Sequence, residues 1–407
     1  MNGAMTDRLK ILFGGIIVCS VLFLPDFHLK SSWPAIQLID FILPILAVYV
    51  FIERKHVQGK MFFIGIAVFA LLMLVSMGIN GRIFVFQDLF EVFKLIKFSL
   101  IVAFFTLVPT AAFCRTWLKP MFIALVGFNL VHFFNLFGFN DIIASYYNGG
   151  LHIEYFGLNS LKEPAVKRMV GLAGNPNINA LVFLFFSIAF LPIKQRTNTL
   201  WWFFAAVLMV FLCQSRTAIL GLGAILFAAG FLMKEYFTLR KWAIIILGLS
   251  GVYLLSWAMA TDFFRYSLYS NNLFNGHILQ TGSARGRWEA WAMLGEMILQ
   301  KPLLGYGGNK AYFYAQKIYS ENEYILMSWR YGMIGLLGYL LIYFLPLKAF
   351  FQAKKIEHSY PALLCIVLMS VAALTNNPFV DRTIMVLFAA VIGAVYAQIS
   401  TQKTHVE

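Results

Sequence analysis

The chain has 407 residues, of which 60% are hydrophobic and only 12% charged, and it carries a formal charge of +14. Soluble globular domains carry about 25% charged residues, so this composition excludes a soluble enzyme or a soluble binding module. The basic excess suggests a nucleic-acid partner until its distribution is followed along the chain.

Apolar runs recur at roughly 10–25, 34–52, 61–79, 94–113, 117–139, 176–193, 200–214, 217–233, 242–260, 325–346, 359–375 and 383–399. Each has about the length needed to cross a bilayer as a helix. Within hydrocarbon the backbone must satisfy its own hydrogen bonds, which makes such runs helical. Ten-residue alternating segments, the signature of a membrane barrel, are absent from the sequence. The expectation is an all-α polytopic membrane protein of about twelve transmembrane helices, forming a single integral membrane domain over 1–407. The first run is not read as a cleavable signal, because Leu24-Pro25-Asp26 follows it without a small-residue cleavage site.

With an even number of spans and a cytoplasmic N-terminus, the inner segments hold half of the 32 Lys and Arg. The same segments hold only Asp7, Glu53, Glu235, Glu357 and Glu407 as acids. This is the positive-inside bias. It accounts for most of the basicity without nucleic acid and puts both termini in the cytoplasm. Two outer loops are long, at 140–175 and 261–324. Within the second, Ser283–Gln300 has apolar residues at helical spacing and is stopped by Lys301-Pro302. The glycine-rich stretch Leu303–Asn309 follows, and then a second amphipathic stretch over Ala311–Tyr319. Residues 83–93 read as a further interfacial helix. Cys19, Cys114, Cys213 and Cys365 lie in or at the ends of apolar runs, with no disulfide or metal-type spacing.

Four polar clusters on the outer side carry the chemistry, since ionised groups against hydrocarbon are costly. Arg168 precedes Gly171-Leu172-Ala173-Gly174-Asn175-Pro176-Asn177, where Asn-Pro starts a helix whose N-terminus suits an anion. Gln214-Ser215-Arg216-Thr217 is wedged between two apolar runs, so Arg216 either snorkels to headgroups or meets an anion in a polar cavity. In Arg285-Gly286-Arg287-Trp288-Glu289-Ala290-Trp291, Arg287 and Trp291 share a helix face and suit a phosphate or sugar. Glu321-Asn322-Glu323 stands at a membrane mouth, where a carboxylate near arginines has the makings of a general base. Arg330 lies a turn or two into the next span and needs a partner. Each cluster also fits a plainer role: a helix cap, a snorkelling arginine, a surface Arg–Trp contact, solvated loop acids. The histidines do not cluster, and His132 reads as a packed intramembrane side chain. Asp40, Asn129, Asn135, Asn376, Asn377 and Asp381 read as candidates to line a cavity.

In combination these motifs resemble the O-antigen ligase and polymerase family of bacterial inner-membrane glycan transferases. The resemblance rests on Arg168 with GLAGNPNINA over 171–180, Ser215-Arg216-Thr217, and Gly286-Arg287-Trp288-Glu289-Ala290-Trp291. It continues through Lys301-Pro302-Leu303-Leu304-Gly305-Tyr306-Gly307 and Glu321-Asn322 with Gly332 and Gly335. Ligases of the family carry histidine immediately before that asparagine, where this chain has Glu321. The resemblance therefore points to a polymerase of the Wzy type and implies a multi-span fold like that of the lipid-linked-sugar (GT-C-like) glycosyltransferases. It implies a glycan on undecaprenyl diphosphate as donor and a single lipid-linked repeat unit as acceptor, joined at the periplasmic face without metal or other cofactor. A chain-length regulator protein is admitted as a partner. The roles it implies are diphosphate binding by Arg168, Arg216 and Arg287, with Arg285 and Arg330 as further candidates. Glu321 is the implied base with Glu323 as its substitute, and Asn175, Asn177, Trp291 and Asn322 line the substrate. Two other readings stand beside it: a ligase that passes finished glycan to lipid A–core, and a transporter or flippase. The latter shares the span number, but the sequence shows no repeated halves of the kind such folds often carry.

Overall fold

The computed structural model describes residues 3–26, 36–144, 168–192, 199–232, 238–264, 282–316, 320–352 and 360–403. Most of the first long loop and much of the second lie outside these. All regular structure among the described residues is helical. In chain order the helices are α1 (Gly3–Phe23), α2 (Leu38–Ile52), α3 (Lys60–Ile79), α4 (Phe86–Phe105), α5 (Thr110–Phe113), α6 (Lys119–Phe134), α7 (Phe139–Ala144) and α8 (Pro176–Phe190). They continue as α9 (Leu200–Cys213), α10 (Arg216–Leu232), α11 (Leu239–Phe264), α12 (Gly282–Gln300), α13 (Lys310–Ala315), α14 (Glu323–Gln352), α15 (Tyr360–Ala372) and α16 (Arg382–Lys403).

Every apolar run read from the sequence contains a helix. Among the described residues, four stretches are both long and apolar enough to cross a membrane: Lys60–Ile79, Thr110–Phe134, Glu323–Phe351 and Arg382–Ile399. Shorter apolar helices accompany them. α3 shows why such a helix belongs in lipid. Phe62, Ile66, Phe69, Met73 and Met77 are buried on one face, while Met61, Ile64, Val68, Leu71, Val75 and Ile79 are exposed on the other. A helix that is apolar all round has no face suited to water.

One sequence expectation is corrected here. Residues 83–93 do not form a separate interfacial helix. They lead into α4, which runs unbroken to Phe105 and buries Asp88, Glu91, Lys94 and Lys97. These charges wind round the helix at three-residue spacing, and each is paired with a neighbouring charge rather than solvated. Lys97 Nζ donates to Asp40 Oδ1 (2.8 Å) and Gln37 Oε1 (3.0 Å), and Arg82 Nε donates to Asp88 Oδ2 (2.9 Å). The apolar run that follows is broken at 106–109, where Pro109 caps a new helix.

The chain forms two compact units. Unit 1 comprises Met1–Trp117, Gly286–Ile366 and Ala373–Glu407. In it α14 packs on α3, and α16 packs on α4. Small residues set these close approaches: a Cβ at Gly65 would lie 2.4 Å from Leu345, and one at Gly393 2.5 Å from the Val102 carbonyl. Unit 2 comprises Leu118–Arg285 and Val367–Ala372, with α9 packed on α8 and α11 and with α10 packed on α8.

The glycine-rich turn of unit 1 docks on a break in α14. Gly332 has φ 70° and ψ −175°, a conformation essentially confined to glycine. There the backbone amides of Tyr306 and Gly307 donate to the carbonyls of Trp329 (3.1 Å) and Arg330 (2.7 Å), and Met333 N donates to the Pro302 carbonyl (2.8 Å). The Tyr306 ring stacks on buried Trp329 at 5.4 Å. Leu294 of α12 packs with Leu326 and Trp329 beneath it. Thus the Lys301–Asn309 motif is a rigid connector that fixes α12 and α13 against the start of α14.

Candidate functional site

In unit 1, α12 presents Arg287 and Trp291 one turn apart, as their spacing requires, and both reach the segment that precedes α14. The Arg287 guanidinium pairs with the Glu321 carboxylate, and Trp291 Nε1–H donates to the Ser320 carbonyl. Trp288 packs edge-on against Trp291, with centroids 5.3 Å apart, and adds an exposed aromatic surface. The Glu321 side chain is 41% exposed and that of Arg287 24%. The pair is therefore open to a ligand while partly shielded from water. Glu321 itself has φ 42°, uncommon for a residue with a side chain.

The neighbours of Glu321 hold it in place. Asn322 Oδ1 accepts from Ile325 N (3.0 Å), capping α14, and its Nδ2 donates to the Leu374 carbonyl (3.0 Å). Glu323 is fully buried, and its carboxylate accepts from Phe379 N at 3.0 Å. Glu323 N donates to the Ala373 carbonyl (2.8 Å), and the Ser320 hydroxyl lies 3.5 Å from Asn377 Oδ1. The connection between α15 and α16 thus clamps residues 320–323 from behind. Of the two glutamates read as candidate bases, Glu321 faces outward, and Glu323 is buried with one carboxylate oxygen held by the Phe379 amide. Asn322 likewise has both amide atoms engaged.

Unit 2 brings together Arg168, Asn175 and Asn177. Asn175 caps α8 by accepting from Asn177 N (2.8 Å), and Pro176 fills the first helical position, where its missing donor costs nothing. Arg168 Nη2 donates to Asn177 Oδ1 (2.9 Å), and its Nε donates to the Cys213 carbonyl (3.1 Å) at the end of α9. Beneath them Asn179 Nδ2 donates to Asn129 Oδ1 (2.7 Å), both side chains fully within the protein. Gln214 turns the chain with φ 48°, and buried Ser215 accepts from Ala218 N (3.3 Å), so α10 begins at half-buried Arg216. His132 is packed, sharing a hydrogen bond between its Nδ1 and Asn140 Oδ1 (2.6 Å). Arg285 is exposed on α12.

Arg330 has the partner its position demands, but that partner is Glu91 of α4 at 3.5 Å, and not one of the residues singled out from the sequence. Glu91 also pairs with Lys94 (3.2 Å) and with Lys310 of α13. Burial alone would raise the Glu91 pKa, but Lys94, Lys310 and Arg330 together hold it below the usual carboxylate range. Sequence reasoning missed this group. Its available signal was Glu91 and Lys94 at i, i+3 in an otherwise apolar stretch.

Residues 200–340 match the family model described as O-antigen ligase. That segment contains Arg216, Arg287, Trp291, Glu321 and Arg330, but not Arg168 or the α8 cap. No curated protein matches the chain.

Proposed function

We propose that this chain, a member of the O-antigen ligase/polymerase family through residues 200–340, polymerises oligosaccharide repeat units carried on undecaprenyl diphosphate. It works in the bacterial inner membrane with its reacting groups at the periplasmic face and both termini in the cytoplasm. The growing glycan is transferred from its lipid diphosphate to the terminal sugar of a new lipid-linked unit. The observation that carries the reading is the Arg287–Glu321 ion pair, an outward-facing acid and cation joined across 34 residues of the matched segment.

The chemistry follows from these groups. The acceptor hydroxyl attacks the anomeric carbon of the donor. One C–O bond forms and the bond from that carbon to the diphosphate breaks. Glu321 takes the hydroxyl proton as general base. Undecaprenyl diphosphate leaves as an anion, and preorganised guanidinium groups stabilise the charge that develops on it. Arg287 holds Glu321 in the ground state and serves that charge as the leaving group departs. In unit 2, Arg168 and Arg216 are the candidates for diphosphate binding, with Asn175 and Asn177 beside Arg168, and Arg285 is a further candidate for the same role. Trp291 offers a face to sugar. Asn322 and Glu323 position Glu321 by anchoring its flanks.

The ligase reading is favoured by the description of the matched family. Against it stands Glu321 at the place where ligases carry histidine. A deletion strain separates them on a gel of surface polysaccharide. Core bearing one repeat unit supports polymerase, bare core means ligase, and an unchanged ladder rejects both for that polymer.

A further inference from the structure

Unit 1 holds a buried cationic cluster that the proposed chemistry does not use. Around the single carboxylate of Glu91 stand Lys94, Lys310 and Arg330. The adjacent Arg82–Asp88 pair is self-neutralising, which leaves two positive charges in excess among the described residues. Glu323 also feels the charge of Lys94. Even with Glu323 ionised, the group remains net positive. Tyr331, next to Arg330, has a buried hydroxyl with no hydrogen-bond partner among the described residues. That hydroxyl lies within electrostatic reach of Glu91 and Arg330.

Excess charge of one sign is expensive in a dry interior, and the architecture takes pains to assemble it. The turn after α12 docks at Gly332, Gly308 passes against Asp88 at a φ of 82° that favours glycine, and Lys310 N donates to Asp88 Oδ1 (3.0 Å). Lys310 is thereby delivered onto Glu91. The side chains of Lys310 and Lys94 retain 12% and 11% exposure, so the cluster is reached from their side.

We propose that Lys94, Lys310 and Arg330 form an anion site for a phosphate or diphosphate group, with Glu91 as the resident counter-ion that the ligand displaces. Two ammoniums and a guanidinium offer point charges and a planar fork to a multi-oxygen anion, and the excess of about two charges matches that of a phosphate at neutral pH. The inference rests on the polymerase reading only for its biological ligand: a reaction that joins two lipid-linked units has two diphosphates to hold.

The test titrates the purified full-length protein in detergent with inorganic pyrophosphate and with geranyl diphosphate, at fixed ionic strength, by calorimetry and thermal shift. Lys310→Met is expected to weaken binding by about tenfold or more. Glu91→Gln is expected to tighten it, because the internal competitor is gone. A purely structural ion network predicts the opposite for Glu91→Gln: a less stable protein with no gain in anion affinity. That outcome, or wild-type titrations for both variants, overturns the site. Loss of pyrophosphate binding in Arg216→Ala but not in Lys310→Met also overturns it, while leaving the polymerase reading standing. Tighter binding of geranyl diphosphate than of pyrophosphate supports the site and identifies a lipid head as the ligand, and equal binding supports it with a free phosphate. If the surface-polysaccharide ladder is unaffected by deletion yet the two variants shift affinity as stated, the site stands and the polymerase reading fails.

Discussion

Gly332→Ala tests the connector on which unit 1 depends. A Cβ at this position would lie 2.1 Å from the Leu303 carbonyl oxygen and 2.5 Å from Leu304 N. Both are backbone atoms that no side-chain rotation can move aside. The backbone at φ 70° adds strain of about 1–3 kcal/mol for any residue with a side chain. Relief requires the turn to lift, which breaks the bonds from Tyr306 N, Gly307 N and Met333 N, each contributing about 1 kcal/mol net. Together these amount to about 4–6 kcal/mol, or a fall in melting temperature of about 10 °C or more. The assay is thermal unfolding in detergent followed by tryptophan fluorescence, to which Trp329 between Tyr306 and Tyr312 reports directly. Gly286→Ala is the control, because its Cβ meets nothing within 4 Å and alanine favours a helix by about 1 kcal/mol. If Gly332→Ala melts within about 2 °C of wild type, the connector is not the rigid joint described.

The remaining predictions concern the candidate residues. Glu321→Gln should abolish polysaccharide laddering in a complemented deletion strain while the purified protein melts like wild type. Glu323→Gln, by contrast, should lower the melting temperature and leave a shortened ladder, because its carboxylate anchors backbone. Equal loss of activity with unchanged melting for both would remove the distinction between them. Arg287→Ala and Arg216→Ala should each shift the ladder to short chains at normal protein level, and normal chain length in both would reject the assignment of these cations. In unit 2, Asn179→Leu should destabilise the protein by about 1–3 kcal/mol, since it strands the buried amide of Asn129. An unchanged melting temperature would show that this pair is not holding α8 to α6.

Much of this architecture is legible in the sequence, and what is not has physical reasons. Hydropathy locates the helices because lipid demands long apolar runs. The Asn175–Pro176 cap is readable because its chemistry is local, and so is the shared face of Arg287 and Trp291, which helical periodicity alone dictates. The partner of Arg330 is not readable, since Glu91 lies 239 residues away and only tertiary packing joins them. The same holds for Glu321 and Glu323. Two residues apart in sequence, they differ because one side chain is exposed to Arg287 while the other meets the backbone of Phe379, and no local pattern encodes which. The start of α4 is not legible either, because Lys97 and Glu91 find their partners on α2, α13 and α14 only through tertiary packing.

The measurement that bears most directly on the central claim reconstitutes the purified protein in proteoliposomes with a single lipid-linked repeat unit as its sole substrate. The products are separated by length. Wild type should convert the unit into a ladder with release of free undecaprenyl diphosphate, and Glu321→Gln should leave it unchanged. If wild type yields no lengthening, but transfers the unit once lipid A–core is added, the chain is a ligase and the account is contradicted.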